Sequence, residues 1–347
     1  MNRRTALSAL TLAAAAAAIA FAGDLQPPAG PVAPTGKTLT QVEPRIPISA
    51  ATTAGDADSI FKITHPGSYY LTANITASLG LARHGIEVTA SGVTIDLNGF
   101  DLNGSIGAAG FDGISATASA LRNITVRNGS IRGWGDDGID LSNVTGGGIE
   151  DVTASQNRGS GILLGNAFTV NATAAVENSV AGIVANEAAV LTGCTSALNG
   201  SNGISVGSGS VVRGCSAREN GNRGIVGSDY CVIEGCAAAF NEIYGISTGG
   251  SCHIRGNQLS FNQIGIRTIF GSSRIEDNNC TSNNIGIQAV DPGNFIARNT
   301  CRTNGTNWDI AANNKCLVIA GTNSAAILGD SGGVSPGSTN PNANYTY

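Results

Sequence analysis

Asparagine stands at Asn157, Asn178, Asn199, Asn220, Asn241, Asn262, Asn283 and Asn304, eight positions separated by an identical step of 21 residues. A fixed period of this length marks a solenoid, in which each repeat stacks on the one before and positions one period apart become vertical neighbours. Other residues keep the same register. Leu191, Val212, Ile233, Ile254, Ile275 and Ile296 form one column, and Gly193, Gly214, Gly235 and Gly256 form another. A Gly-Ile pair begins at 85, 113, 138, 161, 182, 203, 224, 245, 265 and 286, with Trp308-Asp309-Ile310 standing for a last turn. The first steps between pairs, 28, 25 and 23 residues, relax to 21 with a single 20.

The residue types choose between solenoids. A leucine-rich repeat needs a leucine scaffold and a helix-capable half, whereas these segments are short, β-branched and rich in glycine, which also excludes helical repeats. The sequence therefore predicts an all-β chain: a single-stranded parallel β-helix of ten to eleven coils of about 21 residues, with coils about 4.8 Å apart. In such a fold the asparagine column has a structural task, turning its amides inward to bond backbone groups that lack a strand partner at the turns. The glycines are expected to supply positive φ at corners. Isoleucine and valine stack as a dry core.

The ends read differently. The start, "MNRRTALSALTLAAAAAAIAFAGD", has Arg3 and Arg4, an apolar alanine-rich stretch and the small-x-small sequence Ala20-Phe21-Ala22, the pattern of a cleaved signal peptide over residues 1–22. The general secretory route fits it better than twin-arginine export. Residues 23–57, rich in Pro, Thr and Gly, are expected to be a linker or N-terminal cap, 58–320 the β-helix, and 321–347 a polar tail. No other segment is long and apolar enough to span a membrane, so an exported protein is expected, periplasmic, on the cell surface or extracellular. A net charge of -5, with 12% charged residues and no basic run, argues against nucleic acid as a partner.

The stretches "GIEVTASGVTIDLNGFDLNG" (85–104) and "NITVRNGSIRGWGDDGIDL" (123–141), with later coils such as "IRGNQLSFNQIGI" and "IEDNNCTSNNIGI", resemble exported bacterial right-handed parallel β-helix repeat proteins of the pectate-lyase-like superfold. The resemblance covers roughly residues 60–320. The late coils also look like repeats of periplasmic accessory proteins in copper-enzyme maturation and of sugar-modifying enzymes. The resemblance implies the right-handed sense and a polysaccharide or cell-envelope partner, and it implies no particular activity. The "GDDGI" stretch supplies the paired aspartates of a polygalacturonase-like site, but no Asn-Thr-Asp or downstream His-Gly accompanies them. The "DPHD" signature of alginate epimerases is absent, and no local motif establishes the calcium cluster and arginine base of a pectate lyase.

Register nevertheless singles out residues. Those preceding Gly-Ile pairs share a column: His84, Asp112 and Asp137 early, Arg223 and Tyr244 later. Those following the pairs, Glu87, Ser115 and Asp140, face outward by strand alternation. Glu87, Asp112, Asp136, Asp137 and Asp140 are thus candidate catalytic carboxylates, and His84, Arg223 and Tyr244 candidate ligand contacts. Asp112 and Asp137, about 5 Å apart if in register, are candidate calcium ligands. Glu87 and Asp140 should lie about 10 Å apart. Asp before Gly is also ordinary turn chemistry.

The eight cysteines fall on columns too: Cys194, Cys215 and Cys236; Cys231 and Cys252; Cys280 and Cys301; with Cys316 apart. Stacking places Cys231 with Cys252 and Cys280 with Cys301 at a separation that admits a disulfide; small buried hydrophobes would occupy the same places. No CxxC exists and His65, His84 and His253 are scattered, which disfavours zinc. Two functions follow: a non-catalytic exported solenoid presenting a polar face to a polysaccharide or envelope partner, or a polysaccharide lyase, hydrolase or epimerase acting from the first coils.

Overall fold

Each coil is drawn from three very short strands, because the chain needs only one or two inward side chains per side before it turns. One coil consists of Ile162–Leu164, Phe168–Asn171 and Ala174–Val176, and the next of Ile183–Ala185, Val190–Thr192 and Thr195–Ala197. The structure is a computed structural model that describes residues 43–80, 82–105, 109–320 and 341–346. The expected signal peptide, most of the linker and residues 321–340 of the tail lie outside the described residues. Every pairing between named strands is parallel, and the first strands of successive coils, from Ser59–Ile63 to Thr306–Ile310, form one sheet of 12. The second and third strands join in a sheet of 24, since the long strands Leu121–Arg132 and Val144–Ser155 run through both.

The Gly-Ile isoleucines are in register from Ile86 through Ile114, Ile139, Ile162 and Ile183 to Ile287, all fully buried. Each such side chain contributes about 1.5–3 kcal/mol of transfer free energy. The solenoid has about 13 turns, not ten to eleven. The sequence count missed a turn before His84, where Ile60-Phe61 replaces Gly-Ile and Phe61 pairs with Ile86. At the far end it missed Asn344–Thr346, which pairs with Thr300–Arg302 as an added strand.

The asparagine ladder forms as the period requires. The backbone N–H and Nδ2 of Asn157 both donate to Asn178 Oδ1, at 3.1 and 2.9 Å, and the motif repeats to Asn283 and Asn304. From Asn178 onward each Nδ2 also reaches a carbonyl of the preceding coil, as Asn220 does to Ser196 at 3.1 Å. Asn157 to Asn283 are buried; Asn304, at the end, is half-buried. The Gly-Ile glycine lets two groups approach: a Cβ on Gly203 would lie 2.7 Å both from Gly224 O of the next coil and from Asn220 Nδ2, and one on Gly224 the same distance from Gly245 O and Asn241 Nδ2.

Two further inward ladders occupy the other corners. In one, Cys194, Cys215 and Cys236 lead into Asn257, Asn278, Asn299 and Asn344; in the other, Cys231 and Cys252 lead into Ser273, Asn294 and Asn314. The cysteines of these columns accept backbone N–H at Sγ, Cys194 N–H to Cys215 at 3.4 Å and Cys231 N–H to Cys252 at 3.3 Å. All eight are thiols in the structure. Cys280 and Cys301 are register partners inside a strand, where burial pushes the Cys301 thiol far up.

Glycine supplies positive φ at only part of these corners. Gly193, Gly214, Gly235 and Gly256 do so, but the residue before each ladder asparagine is left-handed without being glycine, from Gln156 (φ 56°) through Phe240 (57°) to Thr303 (56°). That conformation costs an L-residue about 1–2 kcal/mol, a cost the following amide's bonds offset.

Candidate functional site

The corner that leads into the 12-stranded sheet carries the acidic residues. Asp137 N–H donates to Asp112 Oδ1 at 3.1 Å, and Ser160 N–H donates to Asp137 Oδ1. The aspartates therefore do at this corner what asparagine does at another. His84 begins the column: its Nδ1 accepts from Asp112 N–H at 3.0 Å and lies 3.4 Å from Asp112 Oδ2, while its ring meets Phe111 edge-on at 5.2 Å. Burial opposes protonation of His84, but the Asp112 carboxylate outweighs it and the pKa is raised. Protonated, the ring would aim its Nδ1–H at Oδ2.

Asp136, exposed beside this column, completes a trio with Asp112 and Asp137 whose carboxylate oxygens lie within 4.8 Å of one another. Gly159 makes the crowding feasible, since a Cβ there would sit 2.3 Å from Asp137 Oδ1 and 2.6 Å from Asp136 Oδ1. Burial, reinforced by Asp112, Asp136 and Asp140 and opposed by the Ser160 N–H, pushes Asp137 up to about 7. Burial, with Asp112 and Asp140, raises Asp136 as well. Three acidic groups this close need a shared proton or a cation, and their all-oxygen donor set is the kind calcium accepts.

The outer row of the sheet runs Lys62, Glu87, Ser115, Asp140 and Leu163, so Glu87 and Asp140 stand two coils apart, about 10 Å. Glu87 is buried, 2.8 Å from Lys62 Nζ, and accepts from the Thr117 hydroxyl. Asp140 accepts from Ser142 N–H at 2.9 Å. Lys62 also pairs with Asp56 at 2.7 Å, and Asp56, Asp58 and Glu87 form a second acidic group. The sequence reading missed Lys62, Asp56 and Asp58 because their coil has no Gly-Ile pair to set its register.

Arg223 and Tyr244 share His84's column but not its site. Ser160, Ala181 and Asn202 separate Arg223 from Asp137, four coils or about 19 Å. Arg223 is the register partner of Tyr244, and the Tyr244 ring lies between two guanidinium groups, Arg223 at 5.3 Å and Arg267 at 5.2 Å from its centroid. Arg267 follows its Gly-Ile pair in register with Ser247, so the rule that places Glu87, Ser115 and Asp140 on the outer row places it there too.

This architecture is shared with solved structures. The A-module of the Azotobacter vinelandii mannuronan C-5 epimerase AlgE4 superposes with a TM-score of 0.58 at 17% identity, over 76% of this chain and 86% of that one. The AlgE6 A-module gives 0.59 at 14% identity, over 86% and 88%. The fold is the parallel β-helix of these two modules. At these identities the likeness establishes the β-helix alone. No protein-family model matches the chain, and no curated protein matches it. Among the described residues no helix is long and apolar enough to cross a membrane.

Proposed function

We propose that the β-helix is an exported, non-catalytic solenoid that binds a polysaccharide along its outer face. The observation that carries this reading is the employment of the candidate acids. Asp112 and Asp137 hold backbone N–H groups, Asp140 holds Ser142, and Glu87 is taken by Lys62 and Thr117, which leaves Asp136 exposed without an equally free partner. A general acid and base must be free to reach substrate. The fold's occurrence in two polysaccharide epimerase modules supports the ligand class.

A second reading, a polysaccharide-active enzyme working from the first coils, is favoured by one specific feature: Asp137, pushed up to about 7, holds a proton where Asp112 and Asp136 stand beside it. Calcium is proposed for the same trio, in competition with that proton.

Affinity electrophoresis in gels containing polyuronides or neutral glycans, paired with assays for reducing ends and unsaturated products, separates the readings. Retardation without product is expected. Product formation that Asp137→Asn abolishes would transfer the function to the acidic trio, and absence of retardation by every glycan would remove the binding reading.

A further inference from the structure

Arg223, Tyr244 and Arg267 form a cation pair with no counter-charge. The Arg223 guanidinium lies 5.3 Å from the Tyr244 ring centroid and that of Arg267 lies 5.2 Å from it. Arg223 and Tyr244 are register partners, while Arg267 sits on the outer row, in line with Ser247 and Val226. Among the described residues neither arginine has a carboxylate within ion-pair distance. That is unlike Arg213, Arg255, Arg274 and Arg298, which are all paired with Glu or Asp on the other sheet.

Their hydrogen-bonding capacity is also unspent. Arg267 uses only Nε, donating to Gln288 Oε1 at 3.1 Å. Arg223 Nε is buried without a partner, as are the side-chain oxygens of Asn202, one coil before it, and of Asn222 beside it. Buried polar atoms without partners are uncommon and call for a water or ligand to satisfy them. Next to Arg223 opens a cavity of about 270 Å³ whose lining includes Ser228, Asp229, Ser247 and Phe270. Asp229, a carboxylate in the same lining, makes no ion pair with either arginine, and its Oδ1 accepts from Gly250 N–H at 2.7 Å.

A guanidinium stacked on an aromatic ring keeps its N–H edge free, and that edge matches a planar or tetrahedral oxyanion. The ring adds an apolar face with a polar tip, and Asn202 and Asn222 add acceptors for hydroxyl groups. We infer that Arg223, Tyr244 and Arg267 form a binding site for the acid group, carboxylate or sulfate, of an anionic saccharide. This rests on the polysaccharide-binding reading and adds the charge of the ligand and a place for it, about 19 Å from the acidic trio.

The test is isothermal titration of the full chain with three oligosaccharide probes: oligogalacturonate for carboxylate, a sulfated dextran oligomer, and neutral dextran. Each is titrated into wild type, an Arg223→Gln, Arg267→Gln double variant and a charge-matched Arg122→Gln, Arg158→Gln double variant, both of the latter arginines being exposed on other parts of the coil. Circular dichroism and melting verify that each variant is folded. At least a roughly tenfold loss of affinity for one acidic probe, confined to the first double variant, is expected. The probe affected identifies the acid group. Equal weakening in both double variants would show diffuse charge attraction and overturn the site. Binding of neutral dextran alone would overturn the site and leave the polysaccharide reading standing, and binding of no saccharide would overturn both.

Discussion

Asp137 shows how a single side chain can belong to the fold and to chemistry at once. Its Oδ1 fills the role an asparagine amide fills elsewhere, yet its burial, reinforced by Asp112 and Asp136 beside it, raises it from 3.8 to about 7. Between those values the folded protein holds a proton that the unfolded chain has released, so stability falls as pH rises through this window. His84, also raised, acts in the same direction: its contribution is complete below about 6.5 and is lost as pH climbs through its higher folded value. The melting temperature should therefore drop between pH 5 and pH 8.5, a range in which the carboxylates paired with arginine stay ionised. Asp137→Asn, which keeps the acceptor oxygen, should flatten that drop and raise the pH 8.5 midpoint. An unchanged slope in the variant would mean that Asp137 does not titrate there. At this scale the sequence was partly legible. The column His84, Asp112, Asp137 follows from Gly-Ile spacing alone, but nothing in the spacing says that carboxylates would cap backbone N–H groups. Arg267 stands in register directly after its Gly-Ile pair, so its place was legible, but its approach to the Tyr244 ring was not.

The corner is the element that the period encodes, and it is a pair of residues: one in left-handed conformation, then one facing inward with a polar atom. Only the asparagine version is visible as a repeat. The ladder that begins with Cys194 changes from thiol to amide along the rod and the one that begins with Cys231 from thiol to hydroxyl to amide, so no single letter runs through either although Sγ, Oγ and Oδ1 accept the same N–H. The glycine of each Gly-Ile pair was legible as a position, and its cause is close approach: a backbone carbonyl of the next coil lies where its Cβ would be, joined from Gly138 onward by a ladder amide. Gly203 and Asn220 should therefore be energetically coupled. Asn220→Ala leaves the backbone N–H of Asn199 without its acceptor, while Asn199 Nδ2 keeps Ala175 O and Ser196 Oγ, and should cost about 1–3 kcal/mol. Gly203→Ala should cost a similar amount, about 1–3 kcal/mol, by overpacking. The double variant should lose less than the sum, since the methyl's overlap with the Asn220 amide is gone and only its overlap with Gly224 O remains; additive losses in denaturant melts would contradict the close approach of the amide.

Along the whole rod each coil touches only its neighbours, so damage at one end should stay there. The last coils are closed by Asn344–Thr346, whose Asn344 Oδ1 receives both the N–H and Nδ2 of Asn299 at 2.9 Å. Asn344→Ala should release amide protection over about 296–320 in hydrogen exchange and leave residues 84–200 protected, whereas uniform loss would show that the solenoid unfolds as one unit. The extent of the rod was underestimated from sequence because its terminal turns lack the Gly-Ile signature. The asparagine ladder has one more property. From Asn157 to Asn304 every amide donates toward the higher-numbered coil and accepts from the lower, as do the ladders through Asn257 and Asn294. Their dipoles add head to tail and polarise one another. The amide rows are therefore polar in one sense: their negative poles lie where they begin, at Asn157, Asn257 and Asn294, and their positive poles toward the higher-numbered coils, so the partial charges of all three rows gather in the same direction along the solenoid.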